Sequence, residues 1–468
     1  MLHDLLARPG RSTGPFSWAS AVLLGWGAGV AAQAPGAERR PNVVVILSDD
    51  QGWADLSCQG LRVIDTPNID RLAREGVRCT QAYSGQAFCA PTRASLLSGC
   101  YPQTLGFEDN PRENAAADLS DGLEPDTVLL PSLFQQAGYV TGAIGKWHLG
   151  QHDAQHPNRK GFTFFFGFLG GGHSYVKSDP PPPTGKSVVP GRDYQQPLQR
   201  NGSHEAFAGY LTDRLFAEAC AFVEAHAAEP FLLYVAPNAV HTPLQAKPED
   251  LEAVAADVGS AKRRANLAML RALDAGVGAL LDDLDRLKLR DDTLVVFMGD
   301  NGGQTLSGAD NGVLRGRKGQ MYEGGIRVPM LWRWPGRLPE AATYERPVHG
   351  MDVLPTALAA AGIELPQDVR VDGVDLRPFL AGERGDADAH AVLCWRRHGD
   401  WPWAVRAGHW KLLVQREGVE ELFDLTRDPS EQSDRRAEEP EVAARLRSAF
   451  LDWQKSVRAP RWLVHVDR

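Results

Sequence analysis

The chain has 468 residues, 43% hydrophobic and 23% charged, with 47 glycines, 32 prolines and a formal net charge of −9. That length allows two domains, or one large and one small, and the glycine and proline content points to functional loops rather than a helical bundle. The acidic balance argues against a nucleic-acid binder, which carries a basic surplus, but leaves room for an anionic substrate held in a local cationic pocket.

At the start of the chain, Arg8 and Arg11 precede the apolar run WASAVLLGWGAGVAA, and Ala32-Gln33-Ala34 has the form of a cleavage site. The pattern predicts a signal peptide over residues 1–34, cut near Ala34, and an exported protein, periplasmic or secreted, with no permanent membrane span. A retained anchor is the alternative, and the run is short for one.

The run NVVVIL (42–47) is β-branched and apolar on both faces, as a central strand of a parallel sheet is. YVTGAI (139–144), FLLYVA (231–236) and TLVVFM (293–298) read the same way. Between them, helices are predicted over TPNIDRLAREG (66–76), near 209–228 and near 262–289, and from Asp352 to Ala361 with Gly362 ending it. PPPPTGKSVVPG (180–191) reads as a surface loop. After about residue 380 the character changes. HWKLLVQREGVEELFDL (409–425) predicts a hairpin turning at Gly418, and PEVAARLRSAFLDWQKS a final helix. The fold class is therefore α/β, with a large, mostly parallel sheet sandwiched by helices. The predicted division is a catalytic domain over 35–384 and a small α+β subdomain with an antiparallel sheet over 385–468.

Each apolar strand runs directly into unusual polar residues. Asp49 and Asp50 follow the first, Lys146 and His148 the second, His241 the third, and Asp300 and Asn301 the fourth. In an open parallel sheet, ligands bind outside the carboxyl ends of the strands. Turn-forming and helix-capping roles would explain either acidic pair alone. Together, at buried strand ends, Asp49, Asp50, Asp300 and Asn301 form a hard oxygen set suited to Ca²⁺ or Mg²⁺, since clustered carboxylates without a cation repel one another. Lys146, His148 and His241, with Arg93 beside Cys89 and Lys318 in the glycine-rich LRGRKGQMYEGGIRVP, describe a pocket for a tetrahedral sulfate or phosphate group. His148 and His241 can move protons near neutral pH.

CAPTRASLLSG (89–99) reads as a short helix, with Pro91 in its first turn, Gly99 at its end and Cys89 at its N-terminus. The spacing from Cys89 to Arg93 is shorter than in a tyrosine-phosphatase-type loop, and a thiolate is a poor partner for a hard cation. The six cysteines (58, 79, 89, 100, 220 and 394) form no zinc framework and no dense disulfide pattern.

CAPTRASLLSG, SDDQG, GKWHLG, HTPL, GDNGG, RGRKGQMYEGGIRVP and the closing ELFDLTRDPSE together resemble the formylglycine-dependent sulfatases, from about residue 41 to 432. The resemblance is strongest to arylsulfatases and to carbohydrate sulfatases of the N-acetylgalactosamine-sulfate type. It implies an alkaline-phosphatase-like fold and a sulfuric ester hydrolase acting on a sulfated, glycosaminoglycan-like saccharide. It further implies that a separate maturation enzyme converts Cys89 to Cα-formylglycine, whose hydrate attacks sulfur and later expels sulfate. Asp49, Asp50, Asp300, Asn301 and residue 89 would ligate Ca²⁺, and Arg93, Lys146, His148, His241 and Lys318 would hold the sulfate. Of these, His241 and Lys318 would protonate the leaving oxygen and His148 would act as base. His173 and the HGDWPW segment (398–403) would shape a sugar pocket, or else pack loops. Two departures are minor: Arg317 precedes Lys318 where glycine is usual, and Met298-Gly299 precede Asp300 where serine is commoner. The competing functions are a phosphonate or phosphodiester hydrolase using the same modified cysteine, and a non-catalytic sugar-binding homologue.

Overall fold

The structure is a computed structural model that describes residues 39–112, 119–176, 198–397, 402–415 and 418–462. The predicted signal peptide, the proline-rich loop at 180–191 and residues 398–401 of HGDWPW lie outside the described residues.

Among the described residues, eleven strands form one sheet. They are β1 (Asn42–Ser48), β2 (Val77–Tyr83), β3 (Val140–Lys146), β4 (Phe164–Phe168), β5 (Leu198–Arg200), β6 (Ser203–Glu205), β7 (Phe231–Ala236), β8 (Thr293–Gly299), β9 (Arg327–Arg333), β10 (Ala342–Tyr344) and β11 (Val348–His349). The order is β10-β2-β9-β8-β1-β7-β3-β4-β5-β6, with β11 pairing beside β2. The centre is parallel: β8, β1, β7, β3 and β4 all run the same way. The antiparallel β9 sits between β8 and β2, and its apolar sequence VPMLW gave no separate signal of direction.

Every residue of β1 is buried because alternate side chains enter different cores. Val43, Val45 and Leu47 join one cluster, beneath the helices Cys89–Ser98 and Val353–Ala361. Val44 and Ile46 join the other, beneath Pro67–Arg74, Leu211–Ala225 and Ala261–Arg286. Helices cover both faces, which is why the central strands read as unbroken apolar runs.

A second sheet has four antiparallel strands, β12 (Leu393–Arg396), β13 (Trp403–Ala407), β14 (Trp410–Val414) and β15 (Glu420–Asp424), backed by the helix Pro440–Gln454. The predicted hairpin is β14–β15, and Gly418 turns it at φ 71°. β12 and β13 were not anticipated. One face of this sheet packs on the terminal helix, with Trp403 stacked on Phe450 at 4.3 Å. The other shares a core with Tyr83, Ala87, Met321, Tyr322 and Ile326. Trp403 of HGDWPW is thus a core residue, not a wall of a sugar pocket. The described residues form one compact unit by contact.

Candidate active site

The four strand ends meet as anticipated. β1 delivers Asp49 and Asp50, β3 delivers Lys146 and then His148, β7 leads to His241, and β8 leads to Asp300 and Asn301. All are buried. Asp50 and His148 hold φ of 57° and 60°, the left-handed region that non-glycine side chains avoid. Such strain costs about 1–3 kcal/mol and concentrates at functional sites.

Cys89 opens the helix Cys89–Ser98, and Gly99 closes it in the left-handed conformation. Thr92 fastens the turn before the helix: its hydroxyl accepts from the Gln86 amide at 3.1 Å and donates to the Gln86 carbonyl at 3.0 Å. The Cys89 thiol then lies 3.5 Å from Asp49 Oδ1, and Lys318 Nζ donates to its Sγ at 3.1 Å. One turn on, the fully buried Arg93 donates to Asp300 Oδ2 at 2.7 Å and approaches Asp49 Oδ2 at 3.6 Å.

The charges interlock. Lys146 Nζ donates to Asp49 Oδ2 at 2.6 Å, and Lys318 Nζ lies 2.6 Å from Asp50 Oδ1. Asn301 Nδ2 donates to Asp50 Oδ1 at 2.8 Å, and the Asp50 amide donates to Asp300 Oδ1 at 3.2 Å. Burial would raise the Asp50 carboxyl, but Lys318 and His241 outweigh it and hold it well below the usual carboxylate range. Burial and the neighbouring Asp49 push Asp300 up to about 6. Burial also works against the Lys318 ammonium, yet Asp50 and the thiol keep its pKa well above the usual lysine value.

The thiol itself is pushed up to about 12 by burial, against the pull of Lys146 and Lys318. As a plain cysteine it stays protonated at neutral pH and is a weak nucleophile. Burial lowers His241 to about 3 and His148 well below the usual histidine value, with nearby lysines adding to the effect on both. His241 Nδ1 lies 2.7 Å from the Thr242 carbonyl, which can only accept, so Nδ1 carries the proton and Nε2 faces Asp50 Oδ2 at 3.6 Å.

Does this set fit a cation? One ligand atom from each of Asp49, Asp50, Cys89 and His241 lies within 4.8 Å of the others. The buried Asn301 Oδ1 has no hydrogen-bond partner. Hard carboxylate oxygens converging with an orphaned amide oxygen suit Ca²⁺. Asp300 is more committed to Arg93 than the sequence suggested, and His241 lies closer to the donor set.

His173 lies in the segment after β4, and its carbonyl accepts from Asn238 Nδ2 at 3.0 Å. Its ring packs 5.2 Å from Phe168 and 5.8 Å from Phe207, and its Nδ1 bonds the Ser174 carbonyl at 2.7 Å. Two neighbours were missed. Tyr234 reads as strand core within FLLYVA, yet its hydroxyl lies 3.5 Å from Arg93 Nη1; its hydroxyl, the one polar side-chain group in that strand, was the available signal. Asn110 Oδ1 accepts from the Ala90 amide at 3.0 Å, and nothing in its surrounding sequence marks it. All six cysteines are free thiols.

Residues 41–363 match the family model described as Sulfatase, and residues 316–456 match one described as N-sulphoglucosamine sulphohydrolase, C-terminal. The chain belongs to the sulfatase family. This sulfatase is 33% identical over 392 residues to N-acetylgalactosamine-6-sulfatase of Canis lupus familiaris, covering 81% of this chain and 72% of that protein. It is 34% identical over 389 residues to Arylsulfatase G of Homo sapiens, covering 76% and 71% respectively. The crystal structure of Ps i-CgsB in complex with k-i-k-neocarrahexaose superposes with a TM-score of 0.85 at 34% identity, covering 92% of this sulfatase and 96% of that chain. The protein is a sulfuric ester hydrolase.

Proposed function

We propose that this sulfatase removes sulfate from a sulfated carbohydrate, with residue 89 as nucleophile after a separate maturation enzyme has oxidised Cys89 to formylglycine. The observation that carries the reading is the placement of Cys89. It is a buried, protonated thiol on the helix N-terminus, within reach of both Asp49 and Lys318. A thiol is poorly suited to a hard-oxygen site, whereas a hydrated aldehyde offers an oxygen nucleophile there. Bound at Asp49, Asp50, Asp300 and Asn301, Ca²⁺ would supply Lewis acidity toward that oxygen and the sulfate.

The chain's own residues do the rest. Arg93 and Lys146, each buried and already charge-paired, stabilise the sulfate oxygens. Lys318 points its held proton at position 89 and is the better donor to the leaving oxygen. His241 is neutral with Nε2 turned to the site, which suits accepting a proton or ligating before donating one. His148 remains the base for releasing sulfate, and its buried Nδ1 has no hydrogen-bond partner. His173 belongs to the pocket wall on the β4 side. The strands β12–β15 with the last helix act as a subdomain beginning near residue 385. Export is supported by the pattern of residues 1–34, and among the described residues no helix is long and apolar enough to cross a membrane.

The carbohydrate substrate is supported by the names of the relatives, N-acetylgalactosamine-6-sulfatase and the neocarrahexaose complex. The test is turnover by matured enzyme with Ca²⁺ on defined sulfated mono- and disaccharides, beside an aryl sulfate and a matched phosphate diester. Saccharide turnover with sulfate strongly preferred is expected. Turnover of aryl sulfates alone would sink the carbohydrate reading, and a diester preference would sink the sulfate one. Mass spectrometry of the peptide carrying residue 89 checks the maturation directly.

A further inference from the structure

The loop that carries Lys318 is glycine-rich and closes on itself through the Gln320 amide to the Arg317 carbonyl at 3.0 Å and the Gly324 amide to the Arg315 carbonyl at 2.7 Å. It contains Gly316 and Gly319, both with φ near 90° in the left-handed region (87° and 89°), and glycine costs the most backbone entropy to order. Toward the large sheet it bonds through the Lys318 amide to the Gly303 carbonyl at 3.3 Å, the Gly319 amide to the Ala87 carbonyl at 2.9 Å, Asn311 Nδ2 to the Gly316 carbonyl at 3.1 Å, and the Lys318 ammonium on Asp50 and the Cys89 thiol. The four-stranded sheet holds it at several further points. Arg315 Nη1 donates to Glu421 at 3.2 Å and to the Glu431 carbonyl at 2.7 Å. The Met321 amide donates to Gln415 at 2.9 Å, and the Tyr322 hydroxyl to Glu421 at 2.5 Å.

The last anchor is buried. Glu323, Lys411 and Glu431 are each 0% exposed. Lys411 Nζ, from β14, lies 2.9 Å from Glu323 Oε1 and 2.9 Å from Glu431 Oε1. The Glu323 amide donates to Glu431 Oε2 at 2.6 Å, and Tyr83 donates to the other Glu323 oxygen at 2.7 Å. Glu431 has φ 52°, a conformation glutamate adopts only when its surroundings impose it. A buried ion cluster is weak evidence for stability but can specify one arrangement over others. The catalytic reading uses none of these residues, although Glu323 and Glu431 lie in the motifs RGRKGQMYEGGIRVP and ELFDLTRDPSE.

We propose that the Glu323–Lys411–Glu431 triad, with Tyr322 and Arg315 on Glu421, clasps the 315–323 loop to the four-stranded sheet and so positions Lys318 on residue 89. These are positioning residues, and the proposal rests on Lys318 acting in turnover. The C-terminal sheet is then a part of the catalytic apparatus that never touches the substrate sulfate.

The test is a double-mutant cycle on matured enzyme with an aryl sulfate, using Glu431→Gln and Lys318→Ala singly and together, with thermal unfolding to verify folding. If Glu431 acts through Lys318, Glu431→Gln lowers kcat/KM about tenfold when Lys318 is present and less than about twofold when it is alanine, the non-additivity expected of coupled residues. Equal losses in both backgrounds, or no loss in either, overturn the positioning role. Should Lys318→Ala alone leave turnover unchanged, the catalytic reading of Lys318 fails first and the proposal with it. If Glu431→Gln does not fold, the same cycle is run with Tyr322→Phe, which removes one hydroxyl, and the same two outcomes decide.

Discussion

Two buried clusters of carboxylates and lysines sit at either end of the Lys318 loop, and they are built differently. In the strand-end cluster, Asp49, Asp50 and Asp300 face Lys146, Lys318 and Arg93 beside a thiol, and Asn301 Oδ1 is left without a partner. In the Glu323–Lys411–Glu431 cluster, the carboxylates are tied to a backbone amide, a phenol, Lys411 and, more distantly, Arg327 beside a shared apolar core. The first gathers three carboxylates and a carboxamide where strands leave the sheet; the second packs two carboxylates around Lys411, with Arg327, Tyr83 and a backbone amide. On the proposed reading, burying charge serves ligand capture in one place and loop geometry in the other.

Four measurements break or sharpen that contrast. The largest effect is expected at the strand ends: Cys89→Ala should lower kcat on the order of 10³-fold or more, as removal of a nucleophile does, with the thermal midpoint little changed. Residual activity above about a tenth of the parent, on the same scale, would refute the nucleophile role. At the other cluster, Lys411→Met should strand two buried acids, costing about 3–5 kcal/mol in denaturant unfolding, and should lower kcat/KM as well by loosening the loop that carries Lys318. A cost below about 1 kcal/mol, the level of an exposed pair, would show that the cluster is not a closed one.

Third, Ca²⁺ added to chelated protein should raise stability by about 2.7 kcal/mol at a hundred times its Kd. The rise should disappear in Asp50→Asn and survive in Glu431→Gln, and the reverse pattern would exchange the roles of the two clusters. The smallest effect is in pH. Burial, with Glu323 beside it, raises Glu431 from 4.5 to about 7 despite Lys411. The folded protein therefore keeps that proton after the unfolded chain has lost it. The resulting stability is complete below pH 4.5 and is lost as pH rises through about 7. Glu431→Gln should flatten the thermal midpoint over this window, and an unchanged slope would remove Glu431 as its source. Glu323, held down to about 2 by Lys411 and Arg327 in spite of burial, acts oppositely: its contribution is lost only as pH falls toward about 2.

The strand-end site was legible because a buried parallel strand must be apolar along its length and can become polar only where it leaves the sheet. NVVVIL, YVTGAI, FLLYVA and TLVVFM each announce such an exit, so Asp49, Lys146, His241 and Asp300 stand out by their position in the chain alone. Tyr234 did not, because a tyrosine inside an apolar strand reads as core. Lys411 was hidden for a related reason: in HWKLLV a lysine between apolar residues reads as the solvent face of an edge hairpin, and only the neighbouring sheet turns that face inward.

By itself, the sequence determined the parallel centre of the sheet, the helix that carries Cys89, the acids and lysines at the strand ends, and the terminal hairpin and helix. These follow from periodicity and punctuation, which are local. Tertiary structure alone decided that β9 runs antiparallel between β8 and β2, that β12 and β13 complete the second sheet, that Trp403 is core, and that residues 323, 411 and 431 meet. These depend on which surfaces share a core, and partners separated by about a hundred positions leave no periodic trace in the chain.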